Sequence, residues 1–268
     1  MVAGKSIVAL DFDGVVCDSV GESSMAGLKA AMRQWPEILT PEAVAPRREE
    51  LLQKMREVRP VIETGYENVV QVRCLWEGMT SSHMLDHWGH EELPAAMGKW
   101  NLDRSELVKL FGAVRDEWIA EDLDSWLAPN NIYPGVADLV RTALEQQELY
   151  IVTTKQAHYT ELLLHNMAGV PVPMERIFSQ TVSGRPKSEV LHALEARHPD
   201  AARKLFVEDK LSTLEKVALL PDCQSWELYL VDWGYNTPAE RLRAATNPRI
   251  QVISVAEFQA VLTAVCKQ

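Results

Sequence analysis

Ile7-Val8-Ala9-Leu10-Asp11-Phe12-Asp13-Gly14 is the stretch on which the reading of this chain turns. The segment Ser6 to Leu10, an apolar run with no polar alternation beyond its first residue, suits a strand buried on both faces, as in a parallel sheet. The run breaks sharply at Asp11, so the acids fall in the loop beyond the strand's carboxyl end. In open α/β sheets that edge is where ligands bind.

Working outward, the alternation resumes only after Tyr133-Pro134-Gly135. Residues 136–147 read as a helix, 149–152 as a buried strand, 157–167 as a helix and 177–178 as a short strand. A helix over 189–197, with Ser188 as its N-cap, is followed by a strand at 204–207 and a helix at 212–220. Strands at 227–231 and 250–253 and a last helix at 255–265 complete the pattern. Strands alternating with helices imply right-handed crossovers and a doubly wound, Rossmann-like parallel sheet. Between the first strand and this region the texture is helical, as in 23–35, 41–58 and 105–120. Thr40 and Pro41 suit a helix start. The expectation is an α/β core of residues 1–17 and 133–268, interrupted at 18–132 by a large α-helical insertion.

Composition narrows the class. The chain has 268 residues, 47% hydrophobic and 24% charged, which is ordinary for a globular protein and excludes disordered or collagen-like classes. Its 27 basic and 38 acidic residues give a net charge of −11, which disfavours binding to nucleic acid or to anionic membrane surfaces. No apolar run approaches the roughly 18 residues of a membrane helix, and no signal peptide is visible. Cys17, Cys74, Cys223 and Cys266 are dispersed, without a CxxC pair, and read as reduced thiols. A cytoplasmic protein is expected.

The polar residues at the strand ends share one chemistry. Asp11 and Asp13 follow the first strand, Thr153-Thr154-Lys155 the next, and Glu208-Asp209 the strand after that, while Gly184-Arg185-Pro186-Lys187 lies in a loop between. For a phosphate ligand, Asp11 can attack phosphorus and form an aspartyl-phosphate. Asp13 can protonate the leaving oxygen and then activate water. Mg²⁺ prefers hard oxygen ligands, which the Asp11 and Asp209 carboxylates and the Asp13 carbonyl can supply. Thr153 and an amide near Thr154 can bind phosphoryl oxygens, with Lys187 neutralising their charge.

Asp11-Phe12-Asp13-Gly14-Val15-Val16 resembles the first signature of the haloacid dehalogenase superfamily. Val152-Thr153-Thr154-Lys155 looks like its second, Arg185-Pro186-Lys187 its third and Phe206-Val207-Glu208-Asp209 its fourth. Tyr133-Pro134-Gly135 and Trp233-Gly234-Tyr235 are similar to segments of the phosphatase and phosphosugar-mutase branch. The resemblance covers the core and implies Mg²⁺-dependent phosphoryl transfer through Asp11, with Asp13 as acid and base. The Glu208-Asp209 pair resembles the mutase variant of the fourth signature, which assigns direct metal contact to Asp209 and an outer-shell role to Glu208. The insertion then corresponds to a cap, longer than expected, from which no substrate contacts carry over. The leading expectation is a hydrolase of a small phosphorylated metabolite. The alternatives are a phosphosugar mutase using the same residues and a catalytically idle scaffold that binds a phosphometabolite or protein.

Other features of the insertion read as structure. His83, His87 and His90 lack the HExxH arrangement, and Gly89 weakens the helix that would align them. Arg47, Arg48, Arg56 and Arg59 alternate with Glu49, Glu50 and Glu57, as on a solvated face. Tryptophans 76, 88, 100, 118 and 126 suit packing.

Overall fold

The structure is a computed structural model and describes residues 4–266. Its strands are β1 (Ile7–Leu10), β2 (Cys17–Asp18), β3 (Asn131–Ile132), β4 (Glu148–Thr153), β5 (Ile177–Ser179), β6 (Lys204–Glu208), β7 (Glu227–Val231) and β8 (Ile250–Ile253). Six form a parallel sheet in the order β5-β4-β1-β6-β7-β8. The two short strands, β2 and β3, pair antiparallel as a separate ribbon.

The first strand is central because nothing in it needs water: all of Ile7–Leu10 is fully buried. Its flanking strands are β4 and β6, with Leu10 level with Ile151 on one side and Val207 on the other. Sequence order runs outward in both directions from β1, so a topological switch point lies at its carboxyl end. That register brings the residues following Leu10, Ile151 and Val207 to one edge.

On one face Ile7, Ala9, Tyr150, Val152, Phe206 and Leu228 pack with Val190, Leu191 and Leu194 of the helix Lys187–Arg197. Leu214 and Val217 of the helix Leu211–Ala218 join them. Val8 and Leu10 are also fully buried, pointing to the opposite face by strand alternation. Burying each such aliphatic side chain contributes about 1.5–3 kcal/mol.

The compact units divide after Asp18 and after Asn130. The division differs slightly from residues 18–132 because the β2–β3 ribbon stays with the sheet. The helical unit has its own core, including Leu51, Met55, Val69, Leu75, Met84, Trp88, Phe111 and Val114. Glu22, with no exposed side-chain surface, receives Arg115 Nε and Nη2, both at 2.7 Å, and Trp126 Nε1 at 3.1 Å. Side-chain N-caps at Thr40, Thr80, Asp103 and Asp122 start four of its helices. Among the described residues, no helix is long and apolar enough to cross a membrane.

Two local expectations change, and the histidine segment agrees with its reading as a weakened helix. The helix expected over 41–58 is split into Pro41–Val44, a 3₁₀ turn at Ala45–Arg47 and Arg48–Glu57. Pro46 lies in that turn and has no N–H to continue an α-helical ladder. Ser188 is not an N-cap: the helix begins at Lys187, with Pro186 preceding it and no side-chain cap. The segment around the histidines is α-helical only over Ser81–His87 and becomes a π turn at Trp88–Glu92. There His83 Nε2 meets Glu92 at 2.7 Å and His87 Nδ1 meets the His83 carbonyl at 3.0 Å, while the two rings stack at 4.4 Å. The histidines bind their own segment.

Candidate active site

Asp11 extends the β1 ladder by one bond, its N–H donating to the Val207 carbonyl at 2.9 Å. The chain then turns tightly, the Phe12 carbonyl accepting from the N–H groups of Val15, Val16 and Cys17. Gly14 makes the turn possible. Its φ is +83°, and a Cβ there would lie 2.1 Å from Asp209 Oδ2. The loop from β1 is therefore pressed against the loop from β6.

Four side chains converge at this edge. Asp11 Oδ1 accepts the Phe12 N–H at 2.7 Å, and its Oδ2 pairs with Lys187 Nζ at 2.9 Å. The same ammonium reaches Glu208 Oε2 at 2.7 Å. Glu208 Oε1 accepts the N–H groups of Asp209 and Lys210, at 3.2 and 3.1 Å. Asp209 Oδ2 accepts the Tyr235 N–H at 2.9 Å. Ligand atoms of Asp11, Glu208 and Asp209 all lie within 4.8 Å of one another, and all three residues are buried. Lys187 is the first residue of its helix, one position before the expected cap.

The electrostatics follow from burial. Removal from water would pull the Lys187 ammonium down, but Asp11 and Glu208 outweigh that and leave its pKa raised. Burial first, then the Asp11 charge, raises the Glu208 carboxyl well above the ordinary carboxylate range, with Lys187 opposing. Cys17 is buried beside Asp13, and both effects push its thiol up, so it stays protonated.

Asp13 departs from the three-carboxylate cluster. Its Oδ1 pairs with Lys155 Nζ at 3.2 Å, with the lysine side chain only 2% exposed. Thr153 ends β4 fully buried, its hydroxyl oxygen accepting the Lys155 N–H at 3.1 Å. The Thr154 carbonyl accepts the Thr181 hydroxyl. Sequence reasoning reached the two threonines but assigned no role to Lys155, although it directly follows them. The loop after β7, Trp233-Gly234-Tyr235, stands out in the sequence by resemblance alone, with no contact assigned to it. There Trp233 Nε1 donates to the Val15 carbonyl at 3.1 Å and the Tyr235 hydroxyl to Asp18 at 2.7 Å.

The donor set fits a hard divalent cation, since its three carboxylates are close, buried and built on strand ends. Formally, four carboxylates (Asp11, Asp13, Glu208, Asp209) face two ammonium groups (Lys155, Lys187), an excess of negative charge that a dianionic ligand alone would worsen.

No family model matches the chain, and no curated protein matches it in sequence. Solved structures do match. A predicted phosphoglycolate phosphatase from Haemophilus somnus superposes with a TM-score of 0.57 at 17% identity, covering 97% of this chain and 99% of that one. A predicted phosphatase from Clostridium acetobutylicum gives 0.56 at 15% identity, with the same coverage of 97% and 99%. A protein described as a haloacid dehalogenase-like hydrolase, from Bacteroides fragilis, gives 0.56 at 14% identity over 94% of this chain and 99% of its own. The chain carries the haloacid dehalogenase-like fold.

Proposed function

We propose that the protein is a Mg²⁺-dependent hydrolase of small phosphomonoesters, with Asp11 as nucleophile. The observation that carries this reading is the placement of Asp11 at the switch-point strand end, hydrogen-bonded to Lys187 and clustered with Glu208 and Asp209. The structural neighbours described as phosphatases support it.

An Asp11 oxygen attacks phosphorus while the ester oxygen leaves with the proton of Asp13, which enters the cycle as the carboxylic acid. The products of this step are the alcohol and an aspartyl-phosphate. Asp13 then removes a proton from water as it attacks the phosphorus, returning free phosphate and the Asp11 carboxylate. The Phe12 N–H and the Lys187 ammonium fix the Asp11 carboxylate for the first step. Lys155 holds the Asp13 side chain. Thr153, the amide at Thr154 and Lys187 bind the phosphoryl oxygens. The Asp11 and Asp209 carboxylates and the Asp13 carbonyl would hold Mg²⁺, with Glu208 behind them, and the ion would offset the negative charge gathered on the phosphoryl group.

Phosphate release from a panel of small phosphoesters tests this. Turnover is expected with Mg²⁺, is abolished by EDTA and is absent in Asp11→Asn. Sustained turnover by pure Asp11→Asn protein rejects the nucleophile. Isomerised phosphosugar with almost no free phosphate, when a trace of the bisphosphate is added, assigns the mutase reaction. Phosphometabolite binding without turnover on any substrate assigns the idle scaffold.

A further inference from the structure

We propose that Asn236 is a positioning residue that sets Asp209 for a divalent cation, an inference that rests on the metal-binding reading above. Asn236 is buried in the loop after β7. Its Nδ2 donates to the main-chain carbonyl of Asp209 at 2.9 Å and to that of Val231 at 2.8 Å. Asp209 directly follows β6 and Val231 ends β7, so one side chain ties together the carboxyl ends of neighbouring strands.

The orientation of the amide is dictated by its partners. Two carbonyls on one side demand donors, and Arg241 Nη1, 2.8 Å from Oδ1, demands an acceptor on the other. The same guanidinium nitrogen donates to the Asn236 carbonyl at 3.1 Å. Both ends of the side chain are thus committed.

Asp209 feels this through the turn. The Asn236 N–H donates to the Gly234 carbonyl at 3.0 Å, and the residue between them, Tyr235, gives its N–H to Asp209 Oδ2. The turn lies so near that a Cβ on Gly234 would be 2.5 Å from Asp209 Cβ and 2.6 Å from the Gly14 carbonyl oxygen. Asn236 therefore anchors the backbone that orients the carboxylate, while the Tyr235 hydroxyl fastens the same turn to Asp18. Groups that hold a metal ligand in place commonly matter to affinity nearly as much as the ligand.

Asn236→Asp separates positioning from simple attraction by sign. Aspartate keeps the size and the acceptor facing Arg241, but turns an oxygen toward the two carbonyls in place of the N–H groups. It also adds negative charge near the acid cluster, which by attraction alone strengthens cation binding. Mn²⁺ affinity of the full chain is measured by calorimetry and by electron paramagnetic resonance of the free ion, with folding checked by circular dichroism. The expected result is Mn²⁺ affinity weakened about tenfold or more. Asn236→Ser, which adds no charge and retains a hydroxyl donor, is expected to show a smaller loss and carries the test if the aspartate variant does not fold. Variants that bind Mn²⁺ as tightly as the unaltered chain, or more tightly, overturn the role of Asn236 alone. An unaltered chain that binds no Mn²⁺ overturns both this inference and the metal-binding reading.

Discussion

Replacing Lys187 with methionine keeps most of the side-chain length and removes the charge shared by two buried carboxylates. Lys187 Nζ lies 2.9 Å from Asp11 and 2.7 Å from Glu208, and all three side chains are at most 8% exposed. Breaking a buried ion pair by deleting one partner costs about 3–5 kcal/mol, because a charge is left without compensation. Here two buried carboxyl groups lose their partner, so a deficit within that range is expected in metal-free protein at pH 8. The deficit depends on pH, and its sign is fixed. Burial and Asp11 already raise the Glu208 pKa, and Lys187 is what opposes them, so the variant's folded pKa rises further. A carboxyl whose folded pKa exceeds its unfolded value, about 4.3, keeps full stability below that value and loses it as pH rises through the folded one. Lys187 itself has a raised pKa, so its contribution to the unaltered chain is complete below its unfolded value of about 10.4 and constant between pH 5 and 8. The difference between the two proteins therefore opens as pH rises through the folded Glu208 pKa of the unaltered chain, and never shrinks with rising pH. Hydrogen exchange of the peptides carrying β1 and β6, measured in EDTA at both pH values, reads the core apart from the helical unit. A deficit below about 1 kcal/mol at pH 8, or one that shrinks as pH rises, would refute the reasoning.

The same logic separates two ion pairs of the helical unit. Arg115→Met strands the buried Glu22 and should cost that unit about 3–5 kcal/mol, whereas Arg33→Met removes an exposed partner of Glu117 and should cost less than about 1 kcal/mol; urea unfolding of both variants gives the comparison. Gly14→Ala forces a side chain into φ +83° and against Asp209, so it should cost about 1–3 kcal/mol and weaken Mn²⁺ binding, read by thermal unfolding and titration. Asp13→Asn should lose turnover yet retain Mn²⁺ better than Asp209→Asn, since asparagine preserves the Asp13 main-chain oxygen; equal loss of affinity would make the Asp13 side chain a direct ligand.

Much of the core was legible because its strands are short apolar runs with sharp polar ends. The expected bounds of β7 and β8 agree with the structure, and β1 differs only by the exclusion of Ser6. The strand-end rule also gathered Asp11, Glu208 and Asp209, and a loop between the strands offered Lys187, before any geometry was known. What it could not supply was pairing. Glu208 joins Asp11 in the carboxylate cluster, whereas the Asp13 side chain turns to Lys155, and that partition depends on the parallel register and on side-chain direction. Tyr235 gives Asp209 a main-chain N–H and Asn236 gives the Asp209 main-chain carbonyl a side-chain amide, contacts that leave no residue-type signal at Asp209 itself. In the helical unit, apolar periodicity continued through Pro46, where the α-helix breaks. Periodicity marks which face is buried, not whether each backbone N–H has a partner.

The most direct measurement of the central claim is reductive trapping of the phosphorylated residue. Protein turning over a phosphoester in Mg²⁺ is quenched in acid, treated with borohydride and digested, and the peptides carrying residues 11 and 13 and residue 209 are sequenced by mass spectrometry. An acyl phosphate is reduced to the alcohol while a free carboxylate is not. Reduction confined to position 11, dependent on both substrate and Mg²⁺, is the predicted result. Phosphate release with trapping at position 13 or 209 in place of 11 would contradict Asp11 as the nucleophile.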